Sequence, residues 1–184
     1  MKIKAVERIC KSEHLIILQG SKAGEQWIGA SGALYPLHGF PEMDESSIFA
    51  WMDIPEAKRK KYVFQYDYEL YEAYDFSDTS DGERYIERGR YTITTPRGCM
   101  EPLNVSEGVI YINAEYLKPF GDCAMLYERR CSDGRIYIAV KEGLLLKGII
   151  MPMVIEQSMA DDLLELARLT RMAKRYIVSA DVED

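Results

Sequence analysis

Apolar positions in this chain fall mostly at strand spacing, and only its C-terminal stretch carries a clear helical period. Residues 3–9 and 14–19 read as two strands joined by a polar turn at Lys11-Ser12-Glu13, the second a continuous apolar run of the kind a buried strand shows. Residues 26–30 predict a third short strand. Residues 32–41, rich in Gly and Pro, predict irregular backbone. Asp44-Glu45-Ser46-Ser47 ahead of the apolar residues 48–52 fits either a capped helix or a strand, and Pro55 before a charged run favours a short helix over residues 55–61.

Further strands are predicted over residues 62–68, 84–86, 91–95, 99–105, 109–112, 124–130, 135–141 and 144–151, with a short helix over 114–120 limited by Pro119. Asp133-Gly134 marks a hairpin turn. Between Gln65 and Arg84 stand seven acidic side chains and no basic one, interleaved with Tyr and Ser, which reads as a solvated loop or hairpin arm. Residues 158–176 place Met159, Leu163, Leu166, Thr170 and Ala173 on one helical stripe. Ser158 caps that helix; Asp161 and Asp162 in its first turn and Lys174 and Arg175 in its last complement the dipole.

A faint internal echo pairs residues 32–37 (GALYPL) with 98–103 (GCMEPL), and 45–66 with 106–128, each copy reading as apolar strand, short helix, strand. The expected fold class is therefore α+β and β-rich, with two related strand–helix–strand halves and a C-terminal amphipathic helix. Residues 1–155 would form one domain, with possible halves 1–95 and 96–155, and residues 156–184 the helix and tail.

Composition narrows the function classes. The 184 residues suffice for one domain with a real core, and 47% hydrophobic with 29% charged content is ordinary for a globular chain. A net charge of −7 and a pI near 5.0 argue against an open basic nucleic-acid-binding surface, though not against a local one. The N-terminus lacks the apolar core of a signal peptide, and no apolar run approaches the roughly 20 residues that span a bilayer. Cys10, Cys99, Cys123 and Cys131 are scattered and read as reduced, small, half-buried hydrophobes, so a cytoplasmic location is expected.

Little here points to catalysis. His14 and His38 are the only histidines, and a nucleophile pair such as Cys99 with His38 has no supporting motif. Zinc-ligand pairs and phosphate-binding glycine motifs are missing, so no cofactor or metal is expected. The one dense basic run is Lys58, Arg59, Lys60 and Lys61; as a DNA contact it would be non-specific and salt-sensitive, and otherwise it is a solvated helix end. Arg168, Arg171 and Arg175 share a helical face that reads as wet. Tyr62, Tyr66, Tyr68, Tyr71 and Tyr74 stand among carboxylates that repel phosphate, so they suit a basic protein partner or a packed hairpin better than a nucleic acid.

Residues 108–155 contain Ile112-Asn113-Ala114-Glu115-Tyr116-Leu117, Met125-Leu126-Tyr127-Glu128, Asp133-Gly134 and the ending Ile149-Ile150-Met151-Pro152-Met153. In that order they resemble the C-terminal part of the bacterial DNA sliding clamp, the beta subunit of DNA polymerase III. The resemblance covers about a quarter of the chain. It implies a clamp-like domain that is not an enzyme and acts in DNA replication or phage biology. It further implies an apolar groove for a partner peptide at Leu145, Ile149, Met151, Pro152 and Met153, with duplex DNA as a partner without sequence specificity. A clamp subunit carries three such domains, so a ring built from this chain would be a homo-oligomer. The general flavour also resembles small proteins carried by prophages of gut Firmicutes. The alternative is accordingly a prophage accessory or structural protein that assembles through its C-terminal helix.

Overall fold

The computed structural model describes residues 1–20, 24–67, 69–89, 91–95 and 98–172. Its first element is a helix, α1 (Ile3–Glu13), where a strand was expected over residues 3–9. The reason lies in the spacing: Ile3, Val6, Ile9 and Cys10 form one helical stripe and pack into the core, whereas a strand would split them between two faces. His14 ends the helix in the left-handed conformation (φ 54°). Its carbonyl accepts from the Val63 N–H at 2.8 Å.

An antiparallel meander follows, β1 (Leu15–Gly20), β2 (Gln26–Ala30) and β3 (Ala33–Pro36). The strand β3 lies inside the Gly/Pro-rich stretch expected to be irregular, and all four of its residues are buried. A two-residue turn at Ser31 and Gly32 brings Ala33 opposite Ala30, and Pro36 sits at the strand's end, where a missing N–H does least harm. Next come α2 (Glu45–Trp51), α3 (Glu56–Arg59) and β4 (Val63–Asp67). Of the two readings open for residues 44–52, the helix forms. A capping box closes it: Ser47 N–H donates to Asp44 Oδ1 at 2.8 Å, and the Asp44 N–H donates to Ser47 Oγ at 2.7 Å.

The rest is β5 (Arg84–Ile86), β6 (Ile93–Thr95), β7 (Gly98–Val105), β8 (Gly108–Asn113), a 3-10 turn (Ala114–Leu117), β9 (Met125–Arg130), β10 (Ile136–Glu142), β11 (Leu145–Ile150) and α4 (Gln157–Met172). The fold is thus mixed α/β, with a large sheet and, among the described residues, four helices that include a C-terminal one. Among the described residues, one sheet has eight strands in the order β4-β1-β2-β3-β11-β10-β9-β5 and the other has three, β6-β7-β8. The division at residues 95 and 96 runs through the β6–β7 pairing.

The eight-stranded order has an internal regularity. Helix α1 leads into the meander β1–β2–β3, and the 3-10 turn leads into the meander β9–β10–β11. The two meanders join at an antiparallel seam that sets Leu34 opposite Ile149 and Ala33 opposite Ile150. This corrects the sequence echo. Residues 45–66 form two helices and a strand, while residues 106–128 hold β8, the 3-10 turn and β9, so those segments are not copies of one motif. The like units are residues 3–36 and 114–150.

Both faces of the large sheet are covered, which explains its near-continuous apolar strands. Residues such as Ile16, Leu18, Ile28, Tyr35, Ile138 and Ile150 pack with α1, α2 and the small sheet's Leu103 and Ile112. On the opposite face Trp27, Leu34, Tyr137, Ala139, Leu146 and Ile149 lie under Leu70, Ala73, Tyr74 and Phe76. The acidic segment is therefore a strap with its apolar residues turned inward, not a solvated arm.

Glu13 and Tyr116 tie the two halves. The Tyr116 hydroxyl donates to Glu13 Oε1 at 2.7 Å, Ser31 Oγ donates to Glu13 Oε2 at 2.5 Å, and the Tyr35 hydroxyl donates to the Tyr116 carbonyl at 2.9 Å. Burial, then the Glu13 carboxylate, pushes the Tyr116 phenol up to about 12. A Cβ at Gly32 would meet the Tyr116 ring at 2.4 Å, so a larger residue in the turn would have to displace that tyrosine from its place against Glu13. Tyr116→Phe is expected to cost about 1–2 kcal/mol in urea unfolding with an unchanged m-value, because Glu13 loses a charge-assisted donor.

The second compact unit begins at Val154 and contains α4, none of whose residues is buried. No helix among the described residues is long and apolar enough to cross a membrane.

Candidate functional site

The residues expected to form the apolar groove are not brought to one surface. Ile149 is fully buried, packed beside Trp27 and Tyr137 under the strap. Met151 packs at the edge of that same apolar layer, and its N–H donates to the Gly32 carbonyl at 2.9 Å. Met153 gives its N–H to Tyr111 in β8 at 2.7 Å. Pro152 lies between them, half-buried. Leu145 alone is well exposed, and it lines a cleft of about 730 Å³ with Trp27, His38, Phe76, Leu146 and Lys147. A register shift in the β10–β11 ladder beside Val140 and Lys141 makes that end of β11 irregular.

Apolar and polar chemistry meet in that cleft. Trp27 and Phe76 form an edge-on aromatic pair with centroids 4.9 Å apart. Asp78, at the rim, accepts from the Leu146 N–H at 2.8 Å and so pins the strap to β11. His38 sits at this rim, and Cys99, on β7, is not part of the cleft. His14 stacks on Tyr62 with centroids 5.1 Å apart, an end-of-helix packing role. Among the described residues no group of three or more His, Cys, Asp or Glu is placed to hold a metal ion.

The basic run does not act as one face. Lys58, Lys60 and Lys61 are exposed, whereas Arg59 is half-buried with its guanidinium over the Phe49 ring at 5.2 Å from the centroid. In α4, Arg168 is held by Glu165 at 2.6 Å and Arg171 is exposed; Arg175 lies outside the described residues. The tyrosines are mainly structural. Tyr74 packs edge-on against Tyr137 with centroids 5.3 Å apart, the Tyr71 hydroxyl oxygen accepts from Gln65 Nε2 at 2.7 Å, and Tyr66 packs at the core; Tyr68 is not described. Burial raises the phenols of Tyr71 and Tyr74.

A second surface was hidden by reading residues 3–9 as a strand. On α1, Lys4 and Arg8 are exposed one turn apart, beside Lys2, and none of the three has an ion-pair partner among the described residues. Lys11 on the same helix is held by Glu7 at 2.6 Å, and Lys118 after the 3-10 turn by Glu115 at 2.5 Å. Helix and turn are adjacent: the Lys2 N–H donates to the Pro119 carbonyl at 2.6 Å, and a pocket of about 180 Å³ between them is lined by Arg8, Ser12, Asn113 and Tyr116. The signal that could have found this face is the helical stripe Ile3, Val6, Ile9, Cys10, whose far side is Lys4, Arg8 and Lys11.

Compared with known proteins, the chain matches no protein-family model, no curated protein and no solved structure.

Proposed function

We propose that this chain is a non-enzymatic, clamp-like binding module of DNA replication or phage biology, in which the face of α1 and the 3-10 turn meets duplex DNA and the cleft beside Leu145 receives an apolar peptide. The observation that carries this reading is the pair of like units joined at the β3·β11 seam, which sets their two leading helical segments side by side on one face of the sheet. In a chain of net charge −7, Lys2, Lys4 and Arg8 make that face locally basic. Contact with phosphates there would be sequence-independent and salt-dependent. Peptide capture would rest on one or two apolar anchors against Trp27, Phe76 and Leu145, each worth about 1.5–3 kcal/mol when fully buried.

The test is solution mass by size exclusion with light scattering, with and without duplex DNA. A hexamer that retains DNA supports an encircling arrangement; a monomer or dimer indifferent to DNA removes it. Lys4→Glu with Arg8→Glu should leave the fold intact and lower the salt slope of DNA binding by about 2, one for each lost phosphate contact. An unchanged slope would discard the α1 face.

A second reading, an accessory or structural protein that assembles through α4, is favoured by the exposure of Leu164, Leu166, Leu169 and Met172. Loss of assembly in Leu166→Asp with Leu169→Asp, while Leu145→Asp is silent, would select it.

A further inference from the structure

The strand β4 ends the eight-stranded sheet and is bonded to β1 on one side only. Val63 gives its N–H toward β1, to the His14 carbonyl, so the alternation of a strand turns the N–H and C=O of Phe64 off the sheet. No hydrogen bond among the described residues uses them. Such an edge is a template for another strand unless it is blunted. The opposite edge, β5, is only three residues long, whereas β4 runs five residues without proline or bulge.

The same strand walls a cleft. Phe64 lines about 710 Å³ of open space with Phe49, Arg59 and Asp44. Among the described residues Arg59 forms no ion pair, and its buried Nε has no hydrogen-bond partner. A buried donor left in that state is uncommon and calls for an acceptor. Asp44, across the cleft, is already engaged, since Oδ1 accepts from Ser46 Oγ and from both the N–H and the hydroxyl of Ser47. Those bonds hold its carboxyl down to about 2. Lys58, Lys60 and Lys61 flank Arg59 in sequence without lining the cleft, and Glu45 lines it beside Asp44, so Arg59 is the cation among its lining residues.

We propose that the outer edge of β4 and the Arg59 cleft together receive an extended segment of another protein that carries a carboxylate side chain. The segment's main chain pairs with Phe64, and a side chain on the cleft-facing side of the added strand reaches the Arg59 guanidinium. Main-chain pairing supplies affinity in such strand addition, and the pocket for alternate side chains supplies selection. A guanidinium–carboxylate contact through the terminal nitrogens favours Glu or Asp over their amides. This surface is distinct from the cleft beside Leu145 and does not depend on the clamp-like reading.

The test uses the full isotope-labelled chain and two capped heptapeptides, Thr-Val-Thr-Glu-Thr-Val-Thr and the same sequence with central Gln. The Glu peptide should slow hydrogen exchange of the Phe64 amide at least tenfold at saturation, and the Gln peptide should bind at least tenfold more weakly. Arg59→Gln should bring the Glu peptide to the level of the Gln peptide, with Arg59→Lys between the two. Equal binding of the two peptides to the unmutated chain, or an unprotected Phe64 amide at millimolar peptide, would overturn the proposal. So would protection that rises with protein concentration alone, because a second copy would then occupy the edge.

Discussion

Gly29→Ala should destabilise the chain by about 3 kcal/mol, lowering the thermal midpoint by roughly 6–12 °C, the largest effect expected of any single methyl group here. A Cβ at Gly29 would lie 1.8 Å from the Ala33 carbonyl oxygen and 2.8 Å from its carbon. Those are backbone atoms, so no rotamer change relieves the contact. Nor can β3 easily step aside. It is bonded to β2 on one side and to β11 on the other, and Ala33 itself faces Ile150 across the seam. Relief must therefore come from opening the hairpin or loosening the junction of the two halves. Gly148→Ala is the control: its Cβ would meet the end of the Phe120 ring at 2.4 Å, and a side chain can turn where a peptide group cannot. It should cost clearly less. A loss below about 1 kcal/mol for Gly29→Ala, measured by thermal unfolding, would mean that the β2–β3 turn relaxes freely and that the seam is not rigid.

Strands with continuous apolar runs were legible because their burial is two-sided and leaves little choice of element. Leu15–Gly20 and Ile136–Glu142 are of this kind. The Asp-Gly turn before β10 and the periodic stripe of α4 were legible from local chemistry alone. What failed to show did so for physical reasons. Residues 3–9 hide a helix whose apolar stripe continues into Cys10, beyond the window that looked like a strand. The strand β3 reads as loop because Gly32 and Pro36 are turn formers, yet pairing on both sides overrides local preference. The candidate sites were less legible still. Ile149 and Leu145 share a strand but differ wholly in exposure, and no sequence pattern tells which end of a strand a covering strap leaves open. The run Lys58–Lys61 reads as four equal charges, whereas packing against Phe49 sets Arg59 apart from the other three.

Glu83 anchors the C-terminal end of the strap, and Glu83→Gln should loosen that end at a cost of about 3 kcal/mol. Glu83 Oε2 accepts from Arg129 Nε at 2.9 Å and from its second terminal nitrogen at 2.6 Å, while Oε1 accepts from Lys141 Nζ at 2.6 Å. Both cations are inside the protein, with side chains only 1% and 4% exposed. Arg129 in turn donates to the carbonyls of Asp75, Ser77 and Asp78, at 3.0, 2.8 and 3.3 Å, and so gathers the strap onto the sheet. An amide keeps one acceptor but presents its NH₂ to a cation, leaving two buried charges without a counter-ion. Breaking a buried pair from one side costs about 3–5 kcal/mol, and the partial exposure of Glu83 places this case at the low end. The pH dependence gives an independent check. Burial by itself would raise the Glu83 carboxyl, but the bonds from Lys141 and Arg129 outweigh it and hold it below the ordinary value. A carboxyl depressed in the folded state stabilises above its unfolded value, about 4.3, and that stability is lost as pH falls through the lower folded value. The stability difference between the unmutated chain and Glu83→Gln should therefore be largest near neutrality and shrink below about pH 4. Limited chymotrypsin digestion at neutral pH should cut Glu83→Gln faster at Tyr74 or Phe76, residues that the strap otherwise turns toward the sheet. Equal cleavage together with an unchanged pH profile would show that Arg129 and Lys141 find other acceptors and that aromatic packing and the Asp78 bond to Leu146 hold the strap without Glu83.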